Sequence, residues 1–185
     1  MTLEELLKSI KLNWSTVLFP KSELSRWDKD FVRAFQGYSV FNLTDFNYGK
    51  CHTYEILAHR GSFVEPGSLE KDKKLIMLLG GQKYSILLKL STVLPCYLIG
   101  FFCRKFESGE PIDRKLQPET LEHKALFQRA ERFAQEKGYE PILEEFLGKP
   151  VPGASLELAE PGTVSVYNCL FEDHSNHSAA SNHQA

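Results

Sequence analysis

Cys51 and His52 stand side by side, Cys103 lies in an apolar run, and His59 and His123 complete the thiols and imidazoles from which a nucleophile could be built. Thiolate chemistry needs a Cys and a His in contact through space. Residues 51 and 52 read as part of a strand, where neighbouring side chains leave on opposite faces, so these two do not serve each other. Cys51 or Cys103 with His52, His59 or His123 is the set an enzyme would use, and the plainer reading is a buried, inert thiol. His52, Glu55 and His59 can be written as metal ligands, but the two imidazoles are seven positions apart and face opposite ways on a continuous strand. Asp173, His174 and His177 could gather a metal only adventitiously.

Two loop patterns fail on spacing. Asp45-Phe-Asn47-Tyr-Gly49 starts like a calcium loop, yet an oxygen ligand is wanted where Gly49 stands, a glycine where Lys50 stands and a glutamate where Ile56 stands. A tight turn is expected there instead. Gly80-Gly81-Gln82-Lys83 lacks the spacing of a phosphate cradle, and no Gly-x-Gly-x-x-Gly or Gly-x-Ser-x-Gly pattern occurs in the chain. Two charged runs remain: Lys71, Lys73 and Lys74, and Glu140, Glu144 and Glu145. Either is a solvated face or a contact for an oppositely charged protein, where complementarity gives fast and selective association. These six residues are the candidate partner-binding set. No catalytic, cofactor or metal residue is assigned.

The elements that must hold these groups follow from periodicity. Thr2 and Glu5 have capping-box spacing, and Leu3, Leu6, Leu7 and Ile10 share one helical face. Ser22 caps a second helix with Leu24, Trp27, Phe31 and Phe35 on its stripe and Gly37 at its end. Val40 to Leu43 and His52 to Leu57 read as a hairpin, and 61–74 as an exposed loop. The centre is 75–106: three antiparallel strands are expected at 75–79, 83–90 and 97–106, with Gly80-Gly81 as the first hairpin turn and Pro95 at a strand start. A polar connection runs to Pro118. Leu126, Ala130, Phe133 and Ala134 then face one side of a helix ended by Gly138, and a shorter helix over 142–147 makes an αα-hairpin with it. Thr163 to Phe171 reads as a last strand, and from His174 the chain reads as disordered.

A chain of 185 residues with 42% apolar and 25% charged residues suits one globular domain, here expected over 1–173 with a tail over 174–185. Twenty-two basic and 24 acidic residues leave a charge of −2, which draws neither nucleic acid nor an anionic membrane by bulk field. Tyr84 to Cys103 carries only Lys89 as a charge and is long enough to span a bilayer. Pro95, the Ser91-Thr92 break and the β-branched and aromatic residues favour a sheet. The four cysteines form no CxxC pair, and the first residues lack a basic start followed by an apolar stretch, so a cytoplasmic location is expected. Thirteen Phe, seven Tyr and two Trp are read as core, with an aromatic ligand cavity as the alternative.

Lys137-Gly-Tyr-Glu-Pro-Ile-Leu-Glu-Glu-Phe146 and Thr163-Val-Ser-Val-Tyr-Asn-Cys-Leu-Phe-Glu-Asp173 resemble segments of small cytoplasmic bacterial proteins of the polymorphic-toxin immunity type. The chain departs from the large SUKH-type group by lacking its leading signature, so no site residue carries over. That resemblance implies a non-enzymatic binding protein without a cofactor. The expectation is therefore an α+β domain, an antiparallel sheet of five to six strands with helices on one face, acting as an immunity-like or adaptor protein with a protein partner. A small-ligand sensor and a Cys/His-dependent enzyme are the alternatives.

Overall fold

The computed structural model describes residues 2–13, 24–47, 49–61, 69–156 and 162–172. Its elements run α1 (Leu3–Asn13), α2 (Leu24–Ala34), β1 (Val40–Asn42), β2 (Cys51–Leu57), α3 (Leu69–Leu78), β3 (Lys83–Ser91), β4 (Cys96–Glu107), β5 (Glu110–Leu116), α4 (Leu121–Glu136), β6 (Glu140–Pro141), α5 (Glu144–Leu147) and α6 (Val166–Leu170). The fold is α+β. Strands β1 to β5 lie side by side in chain order and antiparallel, while β6 pairs parallel with β4 at Cys96 and Tyr97. Glu5 and Thr2 form the expected capping box of α1, each side chain taking the other's backbone N–H. Phe31 and Phe35 are buried as the α2 stripe requires, Pro95 sits just before β4, and Leu126, Ala130, Phe133 and Ala134 are the buried face of α4. The proposed Ser22 cap and the tail from His174 lie outside the described residues.

Four stretches differ from the sequence expectation. Residues 75–79 are not a strand: Leu75 and Ile76 belong to α3, which also takes in 69–74 of the expected loop. Gly80 and Gly81 end that helix in place of turning a hairpin. With positive φ at both, the Gly80 N–H reaches the Met77 carbonyl (3.2 Å) and the Gly81 N–H the Ile76 carbonyl (2.8 Å), which is the paired bonding of a Schellman C-terminus. The left-handed geometry that suits a two-residue hairpin suits a helix end equally well.

Thr163 to Phe171 contains no strand either. Ser165 accepts the Asn168 backbone N–H, and Asn168 accepts that of Ser165, so a capping box starts the short helix α6. The polar connection after Phe106 holds a full strand, β5, entered through Ser108 and Gly109, both at positive φ. Pro141 belongs to β6, and α5 starts only at Glu144.

The helices do not gather on one face. Alternation puts Cys51, Cys96 and Leu98 in one core with Leu6 and Ile10 of α1, Leu147 of α5 and Val166 to Leu170 of α6. It puts Tyr54, Ile56, Ile86, Leu88, Leu90, Tyr97 and Phe101 in the other, with Phe31 and Phe35 near the exit of α2 and the buried face of α4. Helices α4 and α5 therefore belong to different layers, and the expected αα-hairpin is absent. Among the described residues, no helix is long and apolar enough to cross a membrane. Most of the Tyr84 to Cys103 window forms β3 and β4.

Candidate interaction surface

Helix α3 is where the basic run acquires a geometry. Asp72, Leu75 and Ile76, spaced i, i+3 and i+4, turn toward the sheet, with both apolar members buried. That leaves Lys71, Lys73 and Lys74 exposed, and with them Met77 (71% exposed) and Leu78 (83% exposed). The Lys73 ammonium lies 5.8 Å from the centroid of the Phe106 ring of β4. Exposed apolar side chains beside like charges form a face that a partner can cover, apolar at its centre and charged around it.

Asp72 fastens this helix. Its two oxygens accept from Lys83 Nζ (2.9 Å) and Arg104 (2.8 Å). Lys83, 5% exposed, also meets Glu55 at 3.3 Å, and Arg104 donates two bonds to Asp113 at 2.7 and 2.6 Å. The result is a row of alternating charge, Glu55–Lys83–Asp72–Arg104–Asp113, across β2, β3, α3, β4 and β5. Burial raises the Asp72 carboxyl, but hydrogen bonds from Arg104 and Lys83 and their charges outweigh it and hold Asp72 below its ordinary value.

The acidic group is placed elsewhere. Glu140 lies exposed on β6 opposite Cys96, Glu145 is exposed on α5, and Glu144 forms an ion pair with Lys115 of β5. Cys96 and Phe106 are ten residues apart on β4, or about 33 Å at the strand rise, so Glu140 and Lys73 stand near opposite ends of that strand. Among the described residues no ion pair joins the basic group to the acidic one. Of the six candidates, the three lysines form one face with Met77 and Leu78, and the glutamates form no face with them.

No family model, curated protein or solved structure matches the chain. The assignment of the surface accordingly stands on its chemistry.

The thiols and imidazoles are divided by the sheet. Cys51 points into the α1/α6 core, close to the Thr53 hydroxyl (3.3 Å) and the Phe171 carbonyl (3.4 Å), whereas His52 is on the other face and stacks with Trp27. Burial pushes the Cys51 thiol up to about 11 and Cys96 to about 12, which leaves both un-ionised at neutral pH. His59 and His123 flank Tyr84 on the α4 side, the face opposite Cys51, so neither pairs with it. Cys103, opposite Arg114 in the β4–β5 register, is the thiol on their side. His59 Nε2 accepts the Tyr84 backbone N–H at 2.9 Å, and burial, reinforced by His123, lowers its basicity. His52 and Glu55 occupy opposite faces, and His59 lies beyond the end of β2.

A second polar cluster had no sequence signal, because its members are far apart in the chain. Lys89 (7% exposed) donates to the Tyr167 hydroxyl at 2.7 Å and forms an ion pair with Glu172, whose other oxygen accepts from Tyr167 at 2.6 Å. Burial first, and then Glu172, pushes the Tyr167 phenol well up. This clasp ties α6 to the middle of β3 and contributes stability.

The aromatic residues pack ring against ring. In the core between the sheet and α2 and α4, Phe31 stacks on Tyr54 with centroids 4.0 Å apart, and Phe133 meets Phe31 edge-on at 5.0 Å. A cavity of about 540 Å³ lies elsewhere, between α1 and 151–155, against Ile10, Lys11 and Val151.

Proposed function

We propose that this chain is a non-enzymatic protein-binding protein of the immunity or adaptor kind, acting in the cytoplasm, and that α3 is its contact element. The observation that carries the reading is the outward face of α3, where Met77 and Leu78 stand exposed beside Lys71, Lys73 and Lys74. Its partner is a protein with an acidic surface around an apolar depression. The lysines accelerate encounter, and desolvation of Met77 and Leu78 holds the complex. Two exposed apolar side chains are too few to anchor a helix in lipid, and the other apolar pair at this end of α3, Leu75 and Ile76, already faces the sheet. The un-ionised thiols of Cys51 and Cys96, and their separation from the imidazoles, support a non-catalytic role.

The test is recovery of the tagged chain from a lysate of its source, with salt raised across the washes. One stoichiometric protein partner, released progressively by salt, is expected. Joint Lys71→Glu and Lys74→Glu substitution is expected to reduce its recovery about tenfold, with the melting temperature unchanged because both side chains are exposed. No stoichiometric partner at any salt, or a partner indifferent to both charge reversals, removes this reading.

A second reading has one observation in its favour: Tyr84 lies between His59 and His123, with Cys103 as its cross-strand neighbour. A thiol–imidazole enzyme on that side requires Cys103 to be alkylated in the folded protein faster than Cys51 and Cys96. Mapping iodoacetamide adducts decides it, since equal resistance of all three ends the enzyme reading.

A further inference from the structure

Strand β5 is an edge with one neighbour. It pairs with β4 along its whole length, and among the described residues no other strand borders it. Such an edge offers a row of backbone donors and acceptors to another chain, and natural edges are defended by charge and proline. Here Pro111, Asp113, Arg114 and Lys115 supply both. The order of those side chains makes the defence self-complementary.

We propose that β5 pairs antiparallel with the β5 of a second copy, about a two-fold axis at Arg114. In that register Asp113 faces Lys115 of the other copy and Ile112 faces its Leu116, each pair occurring twice. Asp113 and Lys115 are on the sheet face that carries Arg104, and Ile112 and Leu116 on the opposite one, so alternation puts the charges together and the apolar groups together. A two-fold axis perpendicular to the sheet keeps each face continuous, and the two sheets join into one.

The charge pattern favours the same occupant. Within one copy the alternating row ends on Asp113, bonded to Arg104, and the next cation along β5, Lys115, is bonded to Glu144. In the pair, the order Arg104–Asp113 continues into Lys115–Glu144 of the other copy, with signs still alternating. Leu116, 38% exposed, gains an apolar neighbour. The two Arg114 side chains meet at the axis, where each has Glu107 of its own copy at 3.6 Å to offset the repulsion. A register centred on Asp113 instead would place two carboxylates together and separate Ile112 from Leu116, which selects the Arg114-centred one.

The test uses the purified chain alone, so a monomeric result leaves the α3 reading standing. Light scattering across a concentration series is expected to show the mass doubling from 21.1 kDa, and Lys115→Glu to weaken the dimer about tenfold. Arg114→Cys is made with Cys103→Ala, because Cys103 faces Arg114 within the chain and would capture the new thiol. Oxidation is expected to link that variant to its own copy, since opposed residues in an antiparallel pair come within disulfide range. Ile112→Cys in the same background is expected to stay unlinked alone and to link when mixed with Leu116→Cys. A monomer at every concentration overturns the proposal. A doubled mass overturns it equally if Ile112→Cys links to itself as fast as Arg114→Cys.

Discussion

Exchanging Glu172 for Ala is expected to lower the unfolding free energy by about 3 kcal/mol, at the lower end for a broken buried ion pair because the Glu172 side chain is a quarter exposed. The loss arises from what remains. Lys89 keeps the Tyr167 hydroxyl, but its ammonium, almost out of water, no longer has a carboxylate to neutralise it. Replacing Lys89 by Met together with Glu172→Ala is expected to recover most of the loss, since a buried pair replaced by apolar groups is often neutral. Urea unfolding of the wild type, both single variants and the double variant gives the coupling directly. A change below about 1 kcal/mol for Glu172→Ala would show that the clasp behaves as an exposed pair.

Asp72→Ala is expected to lower stability by about 2 kcal/mol at neutral pH and to loosen α3 from the sheet. The effect is smaller because Lys83 retains Glu55 and Arg104 retains Asp113. Its pH dependence identifies the cause. The folded protein holds the Asp72 carboxyl below its unfolded value, so the unfolded chain binds a proton more readily. The stability from Asp72 is thus fully present above the unfolded value, about pH 4, and is lost as pH falls through the lower folded one. Asp72→Asn is expected to flatten that acid limb while changing the neutral-pH slope little. Denaturant titrations at a series of pH values from neutral to acid measure it, and an unchanged acid limb would sink the assignment of the shift to Asp72. Because Asp72 fastens the proposed contact helix, the same substitution is expected to weaken partner recovery without altering any exposed lysine.

Much of the architecture was legible locally. The capping box of α1, the buried stripe of α4 and strands over 52–57, 83–90 and 97–106, each extended by a residue or so in the structure, follow from period and punctuation alone. The errors fell where two structures share one local pattern. Leu75 to Leu79 before Gly-Gly reads as a strand and its turn, but the spacing of Asp72 with Leu75 and Ile76 also fits a helical face, and only docking on Lys83 and Arg104 chooses between them. Val164, Val166 and Asn168 alternate as a strand would. The Ser165–Asn168 cap, together with packing of Val166, Tyr167 and Leu170 on one face of the sheet, makes a helix there.

The residue types of the candidate surface were visible as the run Lys71 to Lys74, while Met77 and Leu78 read as interior because an apolar run carries no mark of which side faces solvent. Composition and period determined the α+β class, the central antiparallel strands and the absence of any common catalytic spacing. Tertiary structure decided the two-faced layering, the edge position of β5, and the pairings of Lys89 with Glu172 and of Asp72 with Lys83 and Arg104. The reason is physical. A turn or cap is settled by bonds within a few residues, whereas which polar side chain is buried, and against what charge, depends on contacts between distant residues such as Lys89 and Glu172, 83 positions apart.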